Sequence, residues 1–241
     1  MKKKKTILTI ALSFCALGFS QAQEVEKTFI RENMEFAARQ YELMLKTPAQ
    51  GKEGKGVMPH SLRKDGTVSK GSIYLWTAGF FPGSLWYISE YLDNKSLQDS
   101  ALVYTKKMEP MKTFTDNHDI GFMMYCSYGN ANRFEPKPEY KDILVESARS
   151  LCTRFRPKAG VIQSWNGFRS WHGDKVYDFP VIIDNMMNLE LLFYASKVTG
   201  DDSFRKVAIS HAENTMKNQV RDDYSCFHII VSVLLKAFII S

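Results

Sequence analysis

Cysteine is scarce in this chain of 241 residues, with four in all, and no pair shows zinc-ligand spacing or suggests a disulfide framework. Cys126, Cys152 and Cys226 lie within apolar helical runs and read as buried thiols. A charge excess of one sign is missing too, once the N-terminus is set aside. Residues 1–22 hold four lysines and no acid, so without them the formal charge falls from +6 to +2. No basic stripe remains, which argues against a nucleic-acid partner. After residue 22 no apolar run is long enough to span a bilayer, and no stretch has the two-residue period of a substantial sheet.

What is present begins with a leader. Lys2–Lys5 form a basic segment, an apolar run follows from about Ile7 to Phe19, and Ser20 and Ala22 are the small residues that signal cleavage requires. Residues 1–22 are therefore expected to be a secretory signal peptide cleaved near Ala22, placing the mature chain outside the cell or in the periplasm. Phe14 precedes Cys15 where a lipoprotein needs a small residue, so lipid attachment is not expected. The remaining chain, about 219 residues, is long enough for one sizeable core.

Helical periodicity then runs through most of it. Glu24–Lys46 is amphipathic and closed by Pro48. A Gly- and Lys-rich loop leads to an aromatic segment, predicted as a buried helix over Phe81–Leu92, with Trp76 exposed just ahead of it. Polar helices are predicted over Ser96–Met111, Glu139–Phe155 and Ser203–Val220, and buried ones over Asp119 to about Tyr128 and Ile183–Val198. Gly200 and Asp201 supply a stop and a start between the last two. Seven helices alternate between buried and polar. Short connections make every second helix parallel, so the buried members should gather their N-terminal ends at one mouth. The architecture this implies is all-α: an (α/α)6 toroid in which about seven of twelve helices are present. The recurrence of Gly79-Phe80 and Gly121-Phe122 hints at a helical-hairpin repeat.

Two acids stand where polar chain turns into buried helix. Asp184 leads into an apolar run from Met186 to Ala195, and Asp119, preceded by His118, leads into Ile120–Tyr125. A carboxylate at a first turn can simply cap it; two such junctions at one mouth suggest a shared site. The long connection between Arg156 and Pro180 carries Gln163, Trp165, Phe168, Arg169, Trp171 and His172. It reads either as a lid of packing aromatics or as a platform for a sugar ring, whose axial C–H groups are apolar.

These residues resemble a known family. WTAGFFPGSLW (76–86), NHDIGFMMY (117–125), IQSW (162–165), IIDNMMNLELLFYAS (182–196), HAENTMKNQVRDD (211–223) and FHII (227–230) together are similar to the unsaturated glucuronyl hydrolases, glycoside hydrolase family 88. The resemblance spans about residues 25–230 and implies an (α/α)6 barrel. It also implies a cofactor-independent, metal-free hydrolase that removes a Δ4,5-unsaturated uronic acid from lyase-generated oligosaccharides by hydrating a vinyl ether. By its match to the family's DxMMN motif, Asp184 is the implied general acid and base. Asp119 is similar to the second essential carboxylate, and His118, Trp76, Trp165 and His228 match substrate-binding positions. For His118 a role as a helix cap, or as an orienter of the acids that does not touch substrate, stays open. An acid that protonates carbon near neutral pH needs a raised pKa, which a second carboxylate and a dry aromatic pocket favour.

The chain departs from the family after His228. Residues 229–241 read as an aberrant apolar tail after a partial domain over 23–228, as expected of a C-terminally truncated member. An inactive fragment that retains glycan binding is the alternative, and the unsaturated rhamnogalacturonyl hydrolases are a nearer enzymatic one. A third reading, a metal-dependent phosphohydrolase using His60, His118, Asp119 and Asp184, lacks a further suitable histidine near His60. The expected partner is an unsaturated oligosaccharide, with neither nucleic acid nor membrane after cleavage.

Overall fold

Residues 26–46, 56–233 and 236–240 are described by a computed structural model, so the expected leader lies outside the described residues. Helix α1 covers residues 26–46. Strands β1 (Met58–Leu62) and β2 (Val68–Gly71) form an antiparallel hairpin. A single 3-10 turn, Trp76–Gly79, runs into α2 (Phe80–Leu92), which pairs with α3 (Lys95–Lys107). Asn94 caps α3 by accepting from Leu97 N at 3.1 Å, and the buried Trp86 Nε1 donates to Thr105 Oγ1 at 2.9 Å, tying the two helices together.

The fourth rod is longer than its sequence suggests. Helix α4 (Ile120–Met124) passes through a π-helical turn, Tyr125–Gly129, into α5 (Asn130–Phe134) without leaving helical backbone. Helix α6 (Pro138–Cys152) follows. Then come two small hairpins, β3 (Phe155–Arg156) with β4 (Val161–Ile162) and β5 (Phe168–Arg169) with β6 (Val176–Tyr177). Strand β7 (Pro180–Ile182) leads into a 3-10 turn, Ile183–Asn188, which opens α7 (Leu189–Thr199). Gly200 ends α7 in the left-handed region at φ 75°, and Asp201 caps α8 (Asp202–Asn218) by accepting from Ser203 N at 2.8 Å. Among the described residues these elements make seven helical rods, as the periodicity predicts.

The inner rods are parallel, as contacts along them show. A Cβ at Gly79 would meet Met123 and one at Gly83 would meet Cys126, so α2 and the α4–α5 rod advance together. Gly121 abuts Asn188 and, further along, Tyr125 lies 5.9 Å from Tyr194, so the same holds for α4 and α7. The paired Gly-Phe sequences follow from this packing. Gly79 lets one backbone rest on another, while Phe80 and Phe122 stack at 5.8 Å with ring planes only 4° apart.

Two features differ from the sequence reading. Helix α6, expected to be polar, buries Tyr140, Ile143, Leu144, Val145, Ala148 and Leu151. Short strands also appear where no sheet period is visible. Residues 229–240, set apart in sequence as an apolar tail, contain β8 (Ile229–Val233) and β9 (Lys236–Ile240), which complete a three-stranded antiparallel sheet in the order β7-β8-β9. Strand β8 is buried on both faces: Ile229 and Val231 pack with Phe168, and Ile230 packs with Val161 and Val181. A strand covered on both sides reads as an unbroken apolar run. Among the described residues no helix is long and apolar enough to cross a membrane.

Candidate active site

The first turns of α4 and α7 meet at the mouth of the inner rods, and each presents an acid. Asp119 precedes α4 but makes no side-chain capping bond, and the 3-10 turn that holds Asp184 likewise begins without one. The two carboxylates instead face His118. Its Nε2 lies 3.0 Å from Asp184 Oδ1 and 3.4 Å from Asp119 Oδ1. Its Nδ1 lies 3.2 Å from the carbonyl oxygen of Ser164, which can only accept, so Nδ1 carries the hydrogen. Nε2 and the two carboxylates are then placed to share one further proton.

The two acids differ in access. Asp119 is 8% exposed, whereas 34% of the Asp184 side chain is open to solvent. Burial pushes the Asp119 carboxyl above the ordinary carboxylate range. His118 opposes this, the charge of Asp184 adds to it, and the Arg154 guanidinium again opposes.

What holds the cluster is a short extended segment, Ile162–Ser164, whose backbone groups take specific partners. Ile162 N donates to His211 Nδ1 at 3.1 Å and Ile162 O accepts from Asn185 Nδ2 at 2.8 Å. Gln163 O accepts from the buried Arg154 Nε at 2.8 Å. Ser164 O receives His118 N at 3.0 Å as well as the imidazole, and Ser164 Oγ accepts from Ile182 N at 2.9 Å. A second brace crosses from the Asp184 turn to α4: Asn188 Oδ1 accepts from Phe122 N at 2.8 Å while its Nδ2 donates to Asn185 Oδ1 at 2.7 Å. Both asparagines are fully buried.

Sequence reasoning missed Ser164, Arg154, Asn185, Asn188 and His211 as supports. Two asparagines inside IIDNMMN were the available signal. Burial lowers the pKa of His211 to about 4, so it stays neutral and accepts from Ile162 N.

Aromatic rings flank the cluster on both sides. Trp165 meets the His118 ring at 5.9 Å, nearly edge-on. Trp76, 52% exposed, reaches the cluster through Phe80 and Phe122, the latter 6.4 Å from His118. His228 is anchored beside Asp184 because its carbonyl accepts from Ile183 N at 2.9 Å. The six residues singled out in sequence thus divide into a contiguous group, His118, Asp119, Asp184 and Trp165, and two flanking rings, Trp76 and His228. His118, Asp119 and Asp184 offer donor atoms within 4.8 Å of one another, a spacing a metal ion could also bridge. The further ligand of the phosphohydrolase reading, His60, is not in that group; it lies exposed on β1 with Nδ1 3.0 Å from Ser61 Oγ.

Parallel inner helices with a carboxylate pair at their N-terminal mouth define part of an (α/α)6 toroid. No protein-family model matches the chain. It is 46% identical over 156 residues to the unsaturated glucuronyl hydrolase of Formosa agariphila, covering 64% of this chain and 38% of that protein. It is 34% identical over 157 residues to the unsaturated chondroitin disaccharide hydrolase of Streptococcus agalactiae, with the same two coverages. The crystal structure of an unsaturated glucuronyl hydrolase specific for heparin superposes with a TM-score of 0.75 at 38% identity, covering 86% of this chain and 53% of that one. The chain is thus similar to unsaturated glucuronyl hydrolases, and its match spans 38% of the length of these curated relatives.

Proposed function

We propose that this chain carries the acid pair of a hydrolase that removes the Δ4,5-unsaturated uronic acid from the non-reducing end of lyase-generated glycosaminoglycan oligosaccharides. The observation that carries the reading is the pairing of a solvent-accessible carboxylate, Asp184, with a buried one, Asp119, across a single imidazole nitrogen. Asp184 is the acid a substrate can reach. It delivers a proton to C4 of the C4=C5 double bond, and the ring oxygen stabilises the resulting cation at C5. Asp184, now a carboxylate, takes a proton from the water that adds to C5. The hemiketal so formed opens and the remaining glycan is released; one water is consumed and no redox partner is needed.

Asp119, held in a drier setting, orients the first acid and binds sugar hydroxyls. His118 is fully buried with both ring nitrogens engaged, which favours a positioning role over direct substrate contact. Trp76, Trp165 and His228 offer the ring faces and edges that bind a sugar at the mouth. Heparin- and chondroitin-type fragments are the substrate classes suggested by the names of the relatives. Residues 1–22 export the protein to where lyase products form.

The test follows the ultraviolet absorbance of the conjugated uronate in unsaturated disaccharides mixed with the protein. Loss of absorbance that Asp184→Asn lowers by about 1,000-fold or more supports the reading, since that change removes the transferable proton. Binding of the disaccharide without loss of absorbance would mark the chain as a glycan-binding module instead.

A further inference from the structure

The ring chain that begins at His118 continues past the acid cluster. Trp165 stacks on Phe168 at 6.0 Å, Phe168 meets Trp171 at a right angle at 5.1 Å, and Trp171 stacks on His228 at 5.9 Å with 23° between planes. Trp171 sits in the turn of the β5–β6 hairpin and is 61% exposed. His228 covers one side of its indole and Phe168 meets it edge-on, yet most of the residue remains open to water. Leaving so large an apolar ring exposed forgoes its burial energy. The position is also fixed from below: Phe168 is buried with Ile229 and Val231 of β8, and the His228 carbonyl is bonded to Ile183 N, next to Asp184. Trp171 is therefore a supported, exposed ring three ring contacts from His118, and its stacking partner His228 is tied to the residue that precedes Asp184.

From this geometry we infer that Trp171, backed by His228, forms the subsite for the sugar adjoining the unsaturated uronate, and so sets a preference for oligosaccharides over uronides with a small aglycone. The inference rests on the acid cluster being the uronate's site. A pyranose presents an apolar C–H face that stacks on an indole whatever its substituents, so this subsite recognises a ring next to the uronate more than any particular sulfate. The β5–β6 hairpin also carries Arg169, ion-paired with Asp174 at 3.4 Å, and Lys175, so charge on the second sugar enters only at its margin.

The test is a binding titration of the full chain with two probes, an unsaturated uronate–hexosamine disaccharide and the methyl glycoside of the same unsaturated uronate. The expected result is a tighter dissociation constant for the disaccharide, with that preference falling about tenfold in Trp171→Ala and largely kept in Trp171→Phe. A preference unchanged in Trp171→Ala, or equal affinity of the unsubstituted chain for both probes, overturns the subsite while leaving the uronate site standing. Failure to bind either probe overturns the uronate site itself, and the subsite with it. An unchanged urea midpoint for Trp171→Ala shows that any loss is local.

Discussion

Adding a single methyl group at Gly121 should damage both the fold and the site. A Cβ there would lie 2.2 Å from Asn188 Oδ1 and 2.5 Å from its Cγ. Asn188 is fully buried and cannot yield without losing its bonds to Phe122 N and Asn185 Oδ1. Leaving the buried Phe122 N–H without its partner costs about 1–3 kcal/mol, and forcing a methyl into packed space costs about as much again. Alanine's better helix propensity returns at most about 1 kcal/mol. The net expectation for Gly121→Ala is a loss of about 3 kcal/mol, read as a lower urea midpoint by far-ultraviolet circular dichroism. Gly167→Ala is the control, because a Cβ there meets nothing within 4 Å; its change should stay under about 0.5 kcal/mol. Asn188→Gly alone removes both side-chain bonds and all three clashing atoms, the Asn188 Cβ at 2.6 Å included, so Gly121→Ala added on top of it should cost little further. Full additivity of the two substitutions, or a Gly121→Ala protein as stable as the unsubstituted chain, would refute the reasoning.

Two further predictions concern pH. The pKa of His211 is lowered to about 4 by burial, so the unfolded chain takes up a proton near pH 6.5 that the folded one refuses until about pH 4. Stability is present above pH 6.5 and lost as pH falls through that window, by up to about 3 kcal/mol. His211→Gln, which can still accept from Ile162 N, should flatten the urea midpoint between pH 6.5 and 4; an equally steep profile would count against it. Asp119 has the opposite sense. Burial raises its pKa in the folded state, so its contribution is most favourable below the unfolded value, about 3.9, and is lost as pH rises through the folded value. Asp119→Asn should therefore gain stability relative to the unsubstituted chain at pH 7 compared with pH 3.5, and a reversed order of the two differences would show that burial does not dominate there.

The helical rods were legible because each carries its own period and punctuation: Asn94, Gly200 and Asp201 cap or stop where the pattern changes. Helix α6 was misread as polar for a local reason. Ser147 and Ser150 count as polar in a pattern, but their hydroxyls bond to Ile143 O at 2.8 Å and Lys112 O at 2.7 Å and are buried. A hydroxyl satisfied by a carbonyl enters a core at little cost. The two-residue strands β3 to β6 are too short to show any period, and β8 hides its alternation because both faces are covered.

At the site, side chains with chemistry of their own were visible and the scaffold that aims them was not. Asp119 and Asp184 stand out because the same junction, an acid opening a buried helix, occurs twice and the alternation of helices brings both to one mouth. The approach of these acids, by contrast, depends on backbone groups of Ile162–Ser164, which almost any residue could supply, and so leaves little trace in residue identity. The partners of that segment leave only part of one: Asn185 is a polar group inside an apolar run, whereas Arg154 and His211 lie in stretches that read as polar helices, yet all three are buried. A buried polar side chain must find a partner, and when its neighbours in sequence are apolar that partner must be remote. Polar residues in apolar context are therefore the sequence's record of long-range backbone contacts. Asn185, bonded to Ile162 O, is such a record here and points to the segment that joins His118 to Asp184, while Arg154 and His211 became recognisable as supports of the same segment only through the fold.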